Sequence, residues 1–350
     1  MLPIRVETVI IYGCPVGNSE VVSIADSRQA FDVAAAVFTH AGKRRELNED
    51  NFVADFPLFV VADGMGGHER GEVASEMVAT TLPGLLRAAP VTVQRVRQAI
   101  AECNRRVHLE GHGDGGMGTT LTGLVVQDDL RQPALVLLNV GDSRTYRMRG
   151  GQLVQLSIDH SVVQELITAG VINAAEAVDH PERNVITRAV GIEPEVDADV
   201  VIVHPAVGDR YLVCSDGLSN EVPFELLAEC LRLDAVGDAA AQLRTEVLAT
   251  NARDNVTVIV LDVVALRQDE NVIDLDRTDP SPRVARPAAV LIGDDTAPRA
   301  DAPTQRAADG PVQPLIADVP PATQTVEAPA PAATVIIEGP PPAEPEGGSA

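Results

Sequence analysis

Several apolar runs in this chain end, or begin, at an aspartate. Phe59-Val60-Val61-Ala62 stops at Asp63, and Tyr211-Leu212-Val213-Cys214-Ser215 stops at Asp216. Asp254-Asn255 opens directly into Val256-Thr257-Val258-Ile259-Val260. A buried strand that ends in a carboxylate sets that charge at the rim of a sheet. Such a carboxylate is costly unless something positive joins it. If distant strand ends converge, their oxygens form a hard-donor cage suited to Mg²⁺ or Mn²⁺. The pattern therefore points to a sheet protein with a metal-dependent hydrolytic site at one end of its strands.

The rest of the composition narrows the choice. The chain has 350 residues, 45% hydrophobic but only 3% aromatic and without Trp, so a large core must be built from Val, Leu, Ile and Ala. A net charge of -24 argues against nucleic acid or an anionic membrane as a partner. Cys14, Cys103, Cys214 and Cys230 are widely spaced, with no CxxC pair, which fits a reducing cytoplasm rather than a zinc or disulfide framework. No signal peptide is apparent, and no apolar run approaches the ~20 residues that cross a bilayer.

Hydrophobic periodicity predicts three regions. Residues 1–30 are an N-terminal extension, in which Val6 to Tyr12 reads as an added edge strand or a loosely packed arm. Residues 31–265 form one folded domain. Residues 266–350 are rich in Pro, Ala and Asp, as in Pro340-Pro341-Pro342, and read as a disordered acidic tail. That tail serves as a solvated appendage or recruits partners through pieces such as Arg277-Thr278-Asp279 and the apolar islands at 290–292 and 335–337.

Within the domain, strands are expected at 33–39, 51–56 and 58–63, then two helices. The first begins near Gly71 with Val73, Met77, Val78 and Leu82 on one face; the second spans about 91–109. Strands follow at 119–127, 134–140 and 145–149, with Gly150-Gly151 turning into 153–156. A short helix at 161–169 opens a polar stretch. Strands at 200–204 and 210–215, helices at about 223–233 and 235–250, and a strand at 255–263 complete the order. Strands, a helix pair, strands, a helix pair and a strand are not the alternation of a parallel sheet. They indicate an α+β fold of stacked, hairpin-connected sheets with helix pairs outside.

The chemistry concentrates in short segments. Gly42-Lys43-Arg44-Arg45-Glu46-Leu47-Asn48-Glu49-Asp50 supplies arginine beside carboxylates, and a guanidinium fork suits phosphate oxygens. In Asp63-Gly64-Met65-Gly66-Gly67-His68, a glycine at 64 leaves its carbonyl open to a cation. Gly141-Asp142-Ser143-Arg144 again puts an aspartate after an apolar strand, and Ser215-Asp216-Gly217 and Arg253-Asp254-Asn255 complete the set.

Taken in order, with Gly116-Met117-Gly118-Thr119-Thr120-Leu121 and Asp159-His160-Ser161 between them, these motifs resemble the metal-dependent protein phosphatases of the type 2C (PPM) family, especially its bacterial serine/threonine branch. The resemblance spans about residues 33–264. It implies a four-layer α-β-β-α sandwich, its two mainly antiparallel sheets flanked by helix pairs, with two tightly held Mn²⁺ or Mg²⁺ ions and a weaker third. Asp63 would bridge two metals, Asp216 and Asp254 would hold the first, and Glu49 and the Gly64 carbonyl the second. Asp142 with Asp216 would make the third site. Arg45 matches the phosphate-binding arginine, with Lys43 and Arg44 as neighbouring alternatives. Asp50 would orient bound water, and Asn184 on the 161–184 flap would approach the third metal.

The chain departs from eukaryotic members at Met65, where those carry a histidine proposed as general acid. His68 does not inherit that role, and leaving-group protonation falls to a bound water or to His160. The expected partners are phosphoproteins and the serine/threonine kinases that make them, acted on by a cytoplasmic monomer. A phosphoprotein-binding pseudophosphatase and a small-phosphoester hydrolase are the competing readings.

Overall fold

Apolar runs that face both ways call for a layer on each side, and the sheets of this protein are built so. The computed structural model describes residues 6–12, 21–24, 31–66, 70–88, 90–112, 116–127 and 133–266. Its elements are β1 (Val6–Tyr12), β2 (Val21–Ile24), β3 (Phe31–His40), β4 (Asp50–Asp55), β5 (Leu58–Gly66), α1 (Arg70–Leu86), α2 (Val93–Glu110), β6 (Met117–Thr119), β7 (Leu121–Gln127), β8 (Ala134–Val140), β9 (Arg144–Arg149) and β10 (Gln152–Gln155). They continue with α3 (Val162–Thr168), α4 (Ala174–Val178), β11 (Asp199–Val203), β12 (Arg210–Cys214), α5 (Asp216–Ser219), α6 (Phe224–Cys230), α7 (Val236–Ala249) and β13 (Val256–Leu266).

One sheet runs β1-β2-β3-β13-β12-β9-β10 and the other β11-β8-β7-β5-β4, with β6 paired to the end of β5. All pairings are antiparallel except β1 with β3, so Val6–Tyr12 is indeed an added edge strand. The expected tail, apart from Leu266 at the end of β13, and His68 both lie outside the described residues.

Alternation along each strand divides the core into three. In β5, Phe59 and Val61 face the other sheet, while Val60 and Ala62 face α1 and α2. In β13, Ile259 and Leu261 face inward between the sheets, and Val258 and Val260 face α6 and α7. This double burial is why these strands read as unbroken apolar runs. Helix α1 turns inward the expected Val78 and Leu82, but on a stripe that runs through Ala74 and Leu86 rather than Val73. Ala74, Val78, Leu82 and Leu86 are buried, whereas Val73 is exposed. Small Ala74 lets the helix approach the sheet, which a hydrophobicity count undervalues.

The β11 edge carries exposed Val201 and Ile202. The Arg97 guanidinium of α2 donates to the Ala198 and Val200 carbonyls along it, at 2.8 and 3.4 Å. An arginine laid across an open edge blocks pairing with another chain.

Candidate metal and phosphate site

Strand ends β5, β12 and β13 all finish or start at one rim, and there the polar residues gather. Arg45, Glu49, Asp63, Gly64, Met65, Thr120, Asp142, Asn184, Asp216 and Asp254 line a single cavity of about 390 Å³. Residues separated by up to about two hundred positions thus share one pocket, as the strand-end reading expects.

Each carboxylate is set by its own local device. The β4–β5 register places Asp50 directly opposite Asp63. Two like charges opposite each other on paired strands repel. Thr120 fixes Asp63 from behind, its hydroxyl accepting the Asp63 N–H at 3.0 Å and its N–H donating to the Asp63 carbonyl at 2.8 Å. Asp216 is the first residue of the one-turn helix α5, after Ser215. The Ser215 hydroxyl donates to Asp50 Oδ2 at 2.8 Å, while Asp50 Oδ1 is buried with no partner. Asp254 is held at both oxygens by Arg45, Nε to Oδ1 and Nη2 to Oδ2 at 3.0 Å each.

Asn255 knits these pieces together, and sequence reasoning passed it over. Its Oδ1 accepts the Glu49 N–H at 2.8 Å, and its Nδ2 donates to the Ala41 and Leu47 carbonyls at 3.1 and 2.8 Å. The loop bearing Arg45 and Glu49 is thereby tied to the start of β13. Gly64 also has a reason beyond an open carbonyl. A Cβ there would stand 2.2 Å from the Gly71 carbonyl oxygen and 2.6 Å from that of Glu49. The end of β5, the Glu49 backbone and the first turn of α1 interlock at hydrogen-only spacing.

His160 stands apart from the cavity. It is 4% exposed, its Nδ1 accepts the Gly141 N–H at 3.2 Å, and its Nε2 faces Asp199 at 3.4 Å. Burial, reinforced by the neighbouring Arg188, holds the imidazole below its usual range. The residue braces the turn that carries Asp142 and offers no free ring nitrogen to a substrate. Asn184, by contrast, lines the cavity from the flap.

The electrostatics are those of a site short of positive charge. Burial, opposed by the Ser215 hydrogen bond, pushes Asp50 up to about 7. Burial and then the charge of Asp216 push Asp142 up to about 7 as well. Asp63 is raised by burial and by Asp50, Asp216, Asp142 and Asp254, and Asp216 by burial and Asp254. Among the described residues, no three His, Cys, Asp or Glu side chains close around one point at ligand spacing. The carboxylates instead lean on separate partners: Ser215 for Asp50, Asn220 for Asp216 and Arg45 for Asp254.

These shifts carry a sign that can be measured. The unfolded chain releases such protons near pH 4, whereas the folded protein keeps those on Asp50 and Asp142 to about pH 7. Between those limits the folded state binds more protons, so its stability falls as pH rises and levels off above 7. Chelator-treated protein should therefore melt several degrees higher at pH 5.5 than at pH 7.5, on the order of 5 °C. A calorimetric melt that is flat or rises over that interval would remove the argument for mutual repulsion.

Known proteins carry the same arrangement of sequence and fold. Residues 39–247 match the Protein phosphatase 2C family. The serine/threonine phosphatase stp of Listeria monocytogenes is 36% identical over 239 residues, covering 64% of this chain and 93% of that protein. The serine/threonine protein phosphatase PstP of Mycobacterium tuberculosis is 36% identical over 305 residues, 82% of this chain but 54% of that one, so the chain spans about half of that relative's length. A solved structure of the PstP catalytic domain in complex with two manganese ions superposes with a TM-score of 0.60 at 36% identity, covering 66% of this chain and 98% of that one. The sandwich of two sheets, the ordered motifs and the matched span lead to one conclusion: the chain belongs to the protein phosphatase 2C family.

Proposed function

We propose that this chain is a metal-dependent protein phosphatase that hydrolyses phosphoserine and phosphothreonine, with Mn²⁺ or Mg²⁺ as cofactor. The observation that carries the reading is the meeting of Glu49, Asp63, Asp142, Asp216 and Asp254 with Arg45 around one cavity. The donor set suits a hard divalent cation. Every candidate ligand is an oxygen, the charges of Asp50, Asp216, Asp142 and Asp254 all bear on Asp63, and Asp50 Oδ1 is buried and unpartnered beside them. Asp63 would serve two ions, Asp216 and Asp254 the first, Glu49 and the Gly64 carbonyl the second, and Asp142 with Asp216 a weaker third. When bound, such ions would lower the pKa of a water positioned for direct attack on phosphorus.

The chain's own residues supply the rest. Arg45 offers a planar fork to phosphate oxygens, but in this structure that fork grips Asp254. Both groups are about half exposed, and an exposed ion pair is worth only ~0–1 kcal/mol, so opening it costs little. Arg45 can thus exchange a carboxylate for a phosphate while Asp254 is freed to bind a cation. Asp50 keeps one oxygen on Ser215 and has the other available to orient water. His160 sets the Asp142 turn, which leaves protonation of the departing alkoxide to water. The partners in this reading are phosphoproteins made by serine/threonine kinases, met by a monomer in the cytoplasm. The buried free thiols Cys103, Cys214 and Cys230 agree with a reducing compartment. Among the described residues, no helix is long and apolar enough to cross a membrane.

The test is hydrolysis of phosphothreonine and phosphotyrosine peptides in parallel, with Mn²⁺ and with chelator. Turnover of the phosphothreonine peptide that chelator abolishes and Mn²⁺ restores is the expected result. Tight phosphopeptide binding without turnover at saturating Mn²⁺ would replace the enzyme with a binding module. Preference for nucleotides over peptides would replace it with a small-phosphoester hydrolase.

A further inference from the structure

One wall of the cavity is apolar, and the functional reading does not use it. Met65 and Ile186 both line the cavity. Met65 is paired across the β5–β6 ladder with Gly118, and the side-chain positions of such a pair lie on the same face. A Cβ on Gly118 would lie 2.9 Å from Ile192 Cδ1 and Cγ1, so the Ile192 side chain fills the face that this glycine leaves bare, beside Met65. Ile192 is nevertheless 46% exposed. Aliphatic side chains therefore stand both on the cavity wall, at Met65 and Ile186, and on the surface beside Met65, at Ile192, as a ledge that starts in the cavity and ends in solvent. Arg45 and the carboxylates belong to the polar walls of the same cavity.

We propose that this ledge of Met65, Ile186 and Ile192 is a subsite for an aliphatic side chain flanking the phosphorylated residue of a protein substrate. The inference rests on the phosphatase reading of the cavity and adds a sequence preference to it. Its occupant follows from continuity. A phosphate drawn toward Arg45 brings the adjacent residues of its chain to the cavity mouth, and the exposed Ile192 offers them apolar surface beside the Met65 wall. Covering Ile192 with a leucine removes apolar area from water, whereas a serine in that place gains nothing comparable. A glycine at 118 is what lets Ile192 lie flat against the strand pair; any larger residue there would displace it.

The experiment compares two phosphothreonine peptides of equal length and charge, one with leucine and one with serine on each side of the phosphothreonine. Wild-type protein with Mn²⁺ should favour the leucine peptide about tenfold in kcat/KM, the discrimination one small apolar contact supplies. Ile192→Ser should bring that ratio close to one, and Ile192→Leu should preserve it. The ratio cancels any general loss of activity, and the exposure of Ile192 makes either substitution compatible with folding. Equal kcat/KM for both peptides in the wild type, or a ratio that survives Ile192→Ser, overturns the subsite while leaving the phosphatase reading intact. If a simple aryl phosphate is hydrolysed but neither peptide is, the protein-substrate reading fails and the subsite falls with it. If nothing is hydrolysed, the enzyme assignment itself is wrong.

Discussion

Replacing Asp63 with asparagine should lower Mn²⁺-dependent kcat/KM by about 10³-fold, on the order of 4 kcal/mol of transition-state stabilisation. The same change should raise the melting temperature of the chelator-treated protein. Asp63 faces Asp50 across the β4–β5 register and feels the charges of Asp216, Asp142 and Asp254. An amide of the same shape removes one charge from a repelling group and keeps the backbone contacts with Thr120. Opposite signs for activity and stability separate a functional carboxylate from a structural one. A residue needed only for folding would lose both together. Asp216→Asn should behave alike, because Asp216 shares the same field and its own burial. Activity within a fewfold of wild type in both variants would end the metal-site proposal. Lost activity accompanied by a lower melting temperature would instead mark these aspartates as scaffold.

Gly217→Ala should be among the most damaging single methyls in the domain. A Cβ at 217 would stand 1.9 Å from the Asn255 carbonyl oxygen, with the next backbone atom at 3.0 Å. Backbone meets backbone there, so no flexible side-chain end can swing away. Overpacking typically costs about 1–3 kcal/mol, and a backbone clash with nothing to swing aside belongs at the upper end, about 3 kcal/mol, or ~10 °C in melting temperature for a domain of this size. The displacement passes to Asn255, whose side chain holds Glu49, Ala41 and Leu47. Activity should fall even in molecules that remain folded, because Arg45 and Glu49 ride on that loop. A variant that melts within 2 °C of wild type and keeps full activity would show that α5 can shift freely against β13. Gly84→Ala is the control in a helix, since a Cβ there meets nothing within 4 Å.

Why was so much of this legible before folding? Strands β5, β12 and β13 are buried on both faces, so each appears as an apolar run whose end is easily seen. The aspartates at those ends were visible for the same reason, and so were the glycines of the β9–β10 turn, with φ of 57° and 79°. The misreadings have physical causes. Val73 is the larger and more apolar side chain, yet the small Ala74 is the one that lies at the contact of helix α1 with the sheet. The strand expected from 119 to 127 divides at Thr120, where the backbone turns to clasp Asp63. Helices α4 and α5, of five and four residues, have too few turns for periodicity to register; α4 is held by its Asn173–Glu176 capping box and α5 by its packing against β13.

The residue types and order alone determined that acidic groups would stand at the ends of buried strands, because local pattern and burial are properties of short stretches. Only the folded chain decided which of them oppose one another and what each leans on. Asp50 facing Asp63, Arg45 clasping Asp254, His160 bracing Gly141 and Asn255 binding the Glu49 loop are all contacts between separate segments. Such contacts follow from strand register and layer packing, and those are settled by the sum of the core rather than by any segment within it.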